Sequence, residues 1–151
     1  MAEFEPRNPD FEQMVSTSFY KQGFMNFIGA TLEKVEPGFC QIRIPYSENL
    51  SQQHGFFHGG VVGTLADNAS GYAAFSLMAA GDGILTVEFK VNLMAPASGE
   101  ELVIRADVLR PGKTLTVCQS NVFAVNDGVE KHCAVGQVTL MTIKDNPTVA
   151  G

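Results

Sequence analysis

The chain has 151 residues, 45% of them hydrophobic and 17% charged, which suits one domain with a core of its own. A formal net charge of −6 argues against general electrostatic attraction to nucleic acid or to an anionic membrane surface. Three scattered cysteines, Cys40, Cys118 and Cys133, form no C-x-x-C and are odd in number, which favours reduced thiols over a disulfide framework.

Residues 1–8 read as a loose, polar leader with no apolar signal-peptide core, so a cytoplasmic protein is expected. Asp10 is placed to cap a helix from Phe11 to Phe24, in which Phe11, Met14, Val15, Ser18, Phe19 and Gln22 recur at helical spacing. Gly29 ends this segment. Strands are expected over 30–36 and 39–45, joined by Glu36-Pro37-Gly38-Phe39, whose Pro-Gly pair is the chemistry of a type II turn. Tyr46 to Phe57 reads as an irregular loop. A long helix follows from Gly59 to Ala79, ended by Gly81-Asp82-Gly83. Asp67 and Asn68 near its middle argue against a membrane span. From Leu85 to Leu93, Leu85, Val87, Phe89, Val91 and Leu93 alternate with Thr86, Glu88, Lys90 and Asn92, the clearest strand in the chain. Pro96 and Gly99 precede a strand from Glu101 to Arg110, and Arg110-Pro111-Gly112-Lys113 repeats the Pro-Gly turn. Thr114 to Val125 and Val129 to Ile143 form a long hairpin closed at Asn126-Asp127-Gly128. The tail from Lys144 is expected to fray. The predicted class is α+β: an antiparallel sheet wrapped round one long central helix, with an extra helix at the N-terminus.

That central helix carries the chemistry. Gly60, Gly63, Thr64, Asp67, Ser70, Gly71 and Ala74 fall on one stripe of small or polar side chains, opposite Val62, Leu65, Ala69, Tyr72 and Ala73. Glycines on one face point to close approach by another backbone or a ligand; tight packing with Asp67 merely hydrogen-bonded inside it is the alternative, and spacing leaves both open. At the helix start, unpaired N–H groups and a partial positive charge make Gly59 N–H a candidate oxyanion donor. Eight residues at about 1.5 Å each put Asp67 roughly 12 Å further along the axis. One helix therefore cannot bring both groups to one reacting atom. If both act, Asp67 comes from a second subunit, and a two-fold dimer forms two equivalent sites.

The stretch Gln52-Gln53-His54-Gly55-Phe56-Phe57-His58-Gly59-Gly60, with Asp67 nine positions after His58, resembles the hotdog-fold acyl-CoA thioesterases of the phenylacetate-pathway (PaaI-like) type, within the 4-hydroxybenzoyl-CoA thioesterase superfamily. Asn92-Leu93-Met94-Ala95-Pro96 and Arg110-Pro111-Gly112-Lys113 match as well. The resemblance covers residues 25–143, the core of a single hotdog domain spanning 1–151, with 1–24 as an N-terminal helical extension. It implies hydrolysis of an acyl-CoA to a free acid and coenzyme A. Gly59 N–H would polarise the carbonyl, and Asp67 of the partner subunit would act as general base or attack directly to give an anhydride. Gln52 would orient water or carbonyl, and His58 would shape the loop rather than act as a base. Gly60, Thr86, Met94, Ala95, Arg110, Gly112, Lys113 and Thr114 would form the substrate-binding set, with the basic turn on the coenzyme's phosphates or adenosine. No metal or cofactor is expected, CoA being part of the substrate. A homodimer with shared sites, assembling further to a homotetramer, is implied, with neither nucleic acid nor membrane as partner. A hotdog hydratase or dehydratase, and a non-catalytic acyl-CoA sensor, are the rival readings. Phe56 and Phe57 point to an apolar or aromatic acyl group, aryl or medium to long chain, without fixing which.

Overall fold

The computed structural model describes residues 4–148; the ends of the expected leader and tail, residues 1–3 and 149–151, lie outside them. The first helical segment is two helices, not one. α1 (Phe11–Lys21) and α2 (Gly23–Ile28) are separated at Gln22, whose backbone is extended at φ −72° and ψ 109°. The Gln22 amide donates back to the Phe19 carbonyl at 3.1 Å, closing α1. Asp10 stands at the N-cap position but its side chain makes no capping bond. Val15 and Phe19 are fully buried, so the predicted apolar side does face the body of the protein. Gly29, at φ 79°, ends α2 in the left-handed conformation that glycine adopts without steric cost.

Six strands follow the predicted order: β1 (Thr31–Glu36), β2 (Phe39–Pro45), β3 (Gly83–Leu93), β4 (Glu101–Arg110), β5 (Leu115–Asn126) and β6 (Val129–Ile143). They form one antiparallel sheet in the order β1-β2-β4-β5-β6-β3. Gly38 has the positive φ, 79°, that a type II turn requires. The β5–β6 hairpin is tighter than predicted: Asn126 pairs with Val129, leaving Asp127 and Gly128, at φ 51° and 74°, as a two-residue turn with the backbone signs of type I′.

The long helix, α3 (Gly59–Phe75), lies against the inner face of the sheet. Leu65, Ala66, Ala69, Ala73 and Ala74 are out of contact with solvent, as are Cys40, Ile42, Ile44, Leu102, Ile104, Cys118 and Val138 on the strands beneath. Burying each large aliphatic side chain contributes about 1.5–3 kcal/mol, so this helix–sheet seam is the main source of stability. A curled antiparallel sheet around one buried helix is the hotdog fold, as the resemblance implied.

Three details depart from the sequence reading. α3 stops at Phe75, about one turn before the predicted Ala79. Ser76 Oγ donates to the Ala73 carbonyl at 2.7 Å and accepts from Gly38 N–H at 2.8 Å, pinning the helix end to the β1–β2 turn. Gly63, Ser70 and Ala74, members of the small or polar stripe, are buried; Ser70 Oγ satisfies itself on the Ala66 carbonyl at 2.8 Å. The open stripe is Gly60, Thr64, Asp67, Asn68 and Gly71. Finally, the strict alternation of β3 is interrupted by a bulge between Thr86 and Glu88. Thr86 pairs with buried Leu140 and faces the helix, whereas Leu85 pairs with Met141 on the outer face. Beyond the extra residue, Phe89, Val91 and Leu93 face the helix instead.

Candidate active site

His58 ends the loop at an extended φ −63° and ψ 137° and caps α3, its Nδ1 accepting from Gly60 N–H at 2.9 Å. That bond fixes Nδ1 as an acceptor and leaves the ring to shape the turn. The Gly60 donor is thereby occupied. The N–H groups of Val61 and Val62 both turn to the His58 carbonyl, at 2.9 and 3.2 Å. Gly59 N–H has no acceptor among the described residues. It is a free donor at the positive end of a 17-residue helix.

Gly59 borders a cavity of about 470 Å³, together with Gln52, Phe56, Phe57, Val62, Leu93, Met94, Ala95, Pro96, Ala97, Cys133 and Ala134. The walls are mostly apolar, and Gln52 and Gly59 are the polar points among them. Gln52 N–H donates to the Phe56 carbonyl at 2.9 Å and its side-chain Oε1 accepts from His54 N–H, so the amide is fixed with its NH2 free to donate. Phe57 is 3% exposed and stacks edge-on against Tyr46 at 5.3 Å, so it belongs to the core behind the cavity wall, while Phe56 is half-buried. A Cβ on Gly59 would sit 3.1 Å from Leu93 Cδ1. Met94 and Ala95 N–H both donate to the Cys133 carbonyl, at 2.8 and 3.2 Å, tying the end of β3 to β6 at the cavity rim. The Cys133 thiol is buried and donates to the Val122 carbonyl at 3.4 Å; burial pushes its pKa up.

Asp67 lies elsewhere. It borders a second depression, of about 230 Å³, with Gln22, Asn68, Gly71, Ile84, Leu85, Thr86 and Leu140. Thr86 Oγ1 donates to Asp67 Oδ1 at 2.8 Å. Burial raises the Asp67 carboxyl above its ordinary value, and the Thr86 hydrogen bond opposes the rise. Asn68 Nδ2 donates to Gln22 Oε1 at 2.7 Å beside it. Neither Gln22 nor Asn68 is among the site residues expected from the sequence; a polar residue directly after Asp67 in an apolar helix is the available signal for Asn68. Leu93, Cys133 and Ala134 gave no such signal, since strand alternation alone accounts for them.

The remaining predicted residues, Arg110, Gly112, Lys113 and Thr114, cluster at the β4–β5 turn and border neither of these two depressions. Arg110 and Lys113 are exposed and make no ion pair among the described residues. Gly112 has a steric reason to be glycine, because a Cβ there would lie 1.9 Å from the Leu115 carbonyl oxygen. The Thr114 carbonyl accepts from Thr142 N–H at 2.9 Å. Within one chain the predicted site thus falls into three groups: Gln52, Gly59, Met94 and Ala95; Asp67 and Thr86; and the basic turn.

β3, which carries Thr86 and ends at Met94, is a sheet edge. Val87, Phe89 and Leu93 on it are 55%, 51% and 60% exposed, although Phe89 and Leu93 point to the helix side. An 11-residue edge strand with this much exposed apolar surface is one that another strand readily covers.

Comparison with known proteins agrees with this architecture. Residues 54–131 match the family model described as the thioesterase superfamily. Human acyl-coenzyme A thioesterase 13 is 34% identical over 112 residues, covering 72% of this chain and 76% of that protein. The crystal structure of a thioesterase family protein from Silicibacter pomeroyi superimposes with a TM-score of 0.87 at 46% identity, covering 89% of this chain and 98% of that one. The PaaI protein of the phenylacetic acid degradation operon of E. coli shares the fold, with a TM-score of 0.79 at 21% identity over 91% of this chain and 96% of its own.

Proposed function

This chain belongs to the thioesterase superfamily, and we propose that it hydrolyses acyl-CoA thioesters at sites shared between two copies of itself. The carrying observation is the separation of a free Gly59 donor from the Asp67–Thr86 pair on one helix, beside an uncovered apolar sheet edge. Pairing two β3 edges antiparallel about a two-fold axis would bring the α3 start of one copy toward the middle of its partner's helix. Gly59 N–H would then hold the thioester carbonyl oxygen, and the NH2 of Gln52 would steady the same oxygen from the loop. Asp67 of the other copy takes a proton from water as the water oxygen attacks the carbonyl carbon. The tetrahedral oxyanion is stabilised at the helix N-terminus, then the C–S bond breaks and the proton passes to the coenzyme A sulfur. Direct attack by Asp67, giving an anhydride that water opens, uses the same groups. A thioester carbonyl gains little resonance from sulfur, so no metal or cofactor is invoked.

The 470 Å³ apolar cavity beside Gly59 suits an aryl or a medium to long acyl group. Arg110 and Lys113, which make no ion pair among the described residues, suit the coenzyme's phosphates, with Gly112 and Thr114 shaping the turn that presents them. The single domain is proposed to span the whole chain, and the dimer to be the smallest active unit. The test is a thiol-release assay over short, medium, long and aryl acyl-CoAs, with Asp67→Asn alongside. Release lost in Asp67→Asn supports the reading. Full activity in that variant would overturn the role given to Asp67, and no release from any acyl-CoA would favour a binding protein.

A further inference from the structure

The depression at Asp67 has two polar side chains that the proposed reaction does not use. Gly71, Ile84, Leu85 and Leu140 around it are apolar, Thr86 holds the acid, and Gln22 and Asn68 supply the other polar groups among the described residues. Their amides form a chain that runs in only one sense. The Phe19 carbonyl can only accept, so Gln22 presents Nε2 to it at 3.1 Å and turns Oε1 to Asn68. Asn68 must then present Nδ2, at 2.7 Å, which leaves its Oδ1 buried with no donor among the described residues. A buried acceptor left without a donor costs stability. The bond that Asn68 does make reaches the break between α1 and α2, 46 residues away in sequence. The rest of the N-terminal extension is anchored separately. Val15, Phe19, Met25 and Ile28 are buried, and Ser18 Oγ and Tyr72 Oη share a hydrogen bond at 3.1 Å.

We propose that the Gln22–Asn68 pair is a clamp holding the α1–α2 break shut over Asp67, which makes both of them positioning residues for that acid. The inference rests on the reading of Asp67 as the base in hydrolysis. The clamp acts by keeping water away, so that the carboxylate is left with Thr86 Oγ1 as its donor and aliphatic side chains on the other walls. Burial is the largest influence on the Asp67 carboxyl and raises it, while Thr86 opposes the rise. A carboxyl held above its ordinary value is a stronger base once ionised, and the cover thereby helps proton transfer from water. No second charge shares control of that carboxyl among the described residues. Lys21 on α1 and Glu88 and Lys90 on β3 are exposed and outside the depression, α2 carries no charged residue, and β6 brings Leu140. Tyr72, further along α3, is turned to Ser18. Opening the clamp is a local event, because the buried residues of α1 and α2 remain in the core without it.

The experiment compares the full chain with Gln22→Ala, Asn68→Ala and the double variant, folding being checked by circular dichroism. Two quantities are read: the acid limb of kcat/KM in thiol release, and the titration of the Asp67 carboxyl by carbon-13 NMR, assigned against Asp67→Asn. Either truncation should admit water and move both to lower pH, toward an ordinary aspartate. A positioned base typically supplies roughly 10²–10⁴-fold, and losing the cover should remove part of it, lowering plateau kcat by about 3–10-fold with KM close to wild type. The double variant should shift no further than either single one, since both delete the same bond. A loss of stability alone would lower Tm and move neither quantity. The clamp is overturned by a carboxyl titration that stays in place in a folded single variant, or by a double variant whose shift is the sum of the two. Where one single variant does not fold, the other decides alone, and failure of both to fold would overturn a local contact. The NMR titration needs no turnover. A titration that moves while the acid limb stays would therefore count against Asp67 as the base and leave the clamp standing. Absence of thiol release from any acyl-CoA would overturn hydrolysis, with the clamp judged on the carboxyl.

Discussion

Replacing Gly59 by proline removes one hydrogen-bond donor and puts a ring carbon on the nitrogen that carried it. Proline lacks an N–H, and the first position of a helix is where a helix tolerates it best. His58, at φ −63° and ψ 137°, already has the extended backbone that the residue before proline requires. The added Cβ meets the flexible end of Leu93 at 3.1 Å, and Gly59→Ala adds the same Cβ while keeping the N–H, so that variant is the control for it. Loss of one oxyanion donor typically lowers kcat by about 10²–10³-fold, and Gly59→Pro is expected to lose at least that much with Gly59→Ala close to wild type. The geometry then sets a second number. If the two groups of a site come from different chains, a heterodimer of Gly59→Pro with Asp67→Asn contains one doubly damaged site and one intact site. Differently tagged, co-purified heterodimers should show about half the wild-type kcat per dimer, and a freely exchanged equal mixture about a quarter. The assay is thiol release on purified heterodimers of verified composition. Heterodimers no more active than either parent would refute shared sites.

The acid side of the pH profile should report on Asp67, whose carboxyl is raised by burial, so kcat/KM is expected to fall at higher pH than for an ordinary aspartate. Thr86→Val deletes the opposing hydrogen bond and should move that limb upward again, whereas Thr86→Ser should restore it. The same raised value means the stability contributed by this group is greatest below the ordinary carboxylate range and is lost as pH rises through the raised one. Thermal scans should therefore show Asp67→Asn with a higher Tm than wild type at pH 7 and no advantage near pH 3. Leu65→Ala, at a position with no solvent exposure on α3, should cost about 2–5 kcal/mol in urea titration. Alanine at Arg110 and Lys113 together should raise KM for acyl-CoA, more at low salt than at high, with less effect on kcat.

Much of the architecture was legible because local chemistry and global fold agree. Pro37-Gly38 and Asp127-Gly128 sit at turns whose positive φ values only a few residues accept, and they fixed the hairpins to within a residue. The end of α3 was not legible, since Leu77 and Met78 stay buried after the helix stops and the apolar pattern runs on past it. What halts the helix is Ser76, held by Gly38, a contact 38 residues away in sequence. The β3 bulge was hidden for a similar reason: Leu85, Val87 and Phe89 look like one face until pairing with β6 inserts an extra residue between Thr86 and Glu88. In the site, Gly59 and Asp67 stood out as a helix start and a lone acid. Gln22 did not, because it reaches Asn68 only through the break between α1 and α2.

Cys133 has a bearing on the chemistry of any thioester held in the 470 Å³ cavity it lines. A cysteine beside an activated acyl carbonyl invites exchange, in which its sulfur displaces coenzyme A and keeps the acyl group. Thiolate is the form that attacks. Burial raises the Cys133 thiol, and its hydrogen is directed into the Val122 carbonyl. Cys40 is pushed up still further and Cys118 up to about 12, both deep in the core. Water is thus left without an internal sulfur competitor for an acyl group held there.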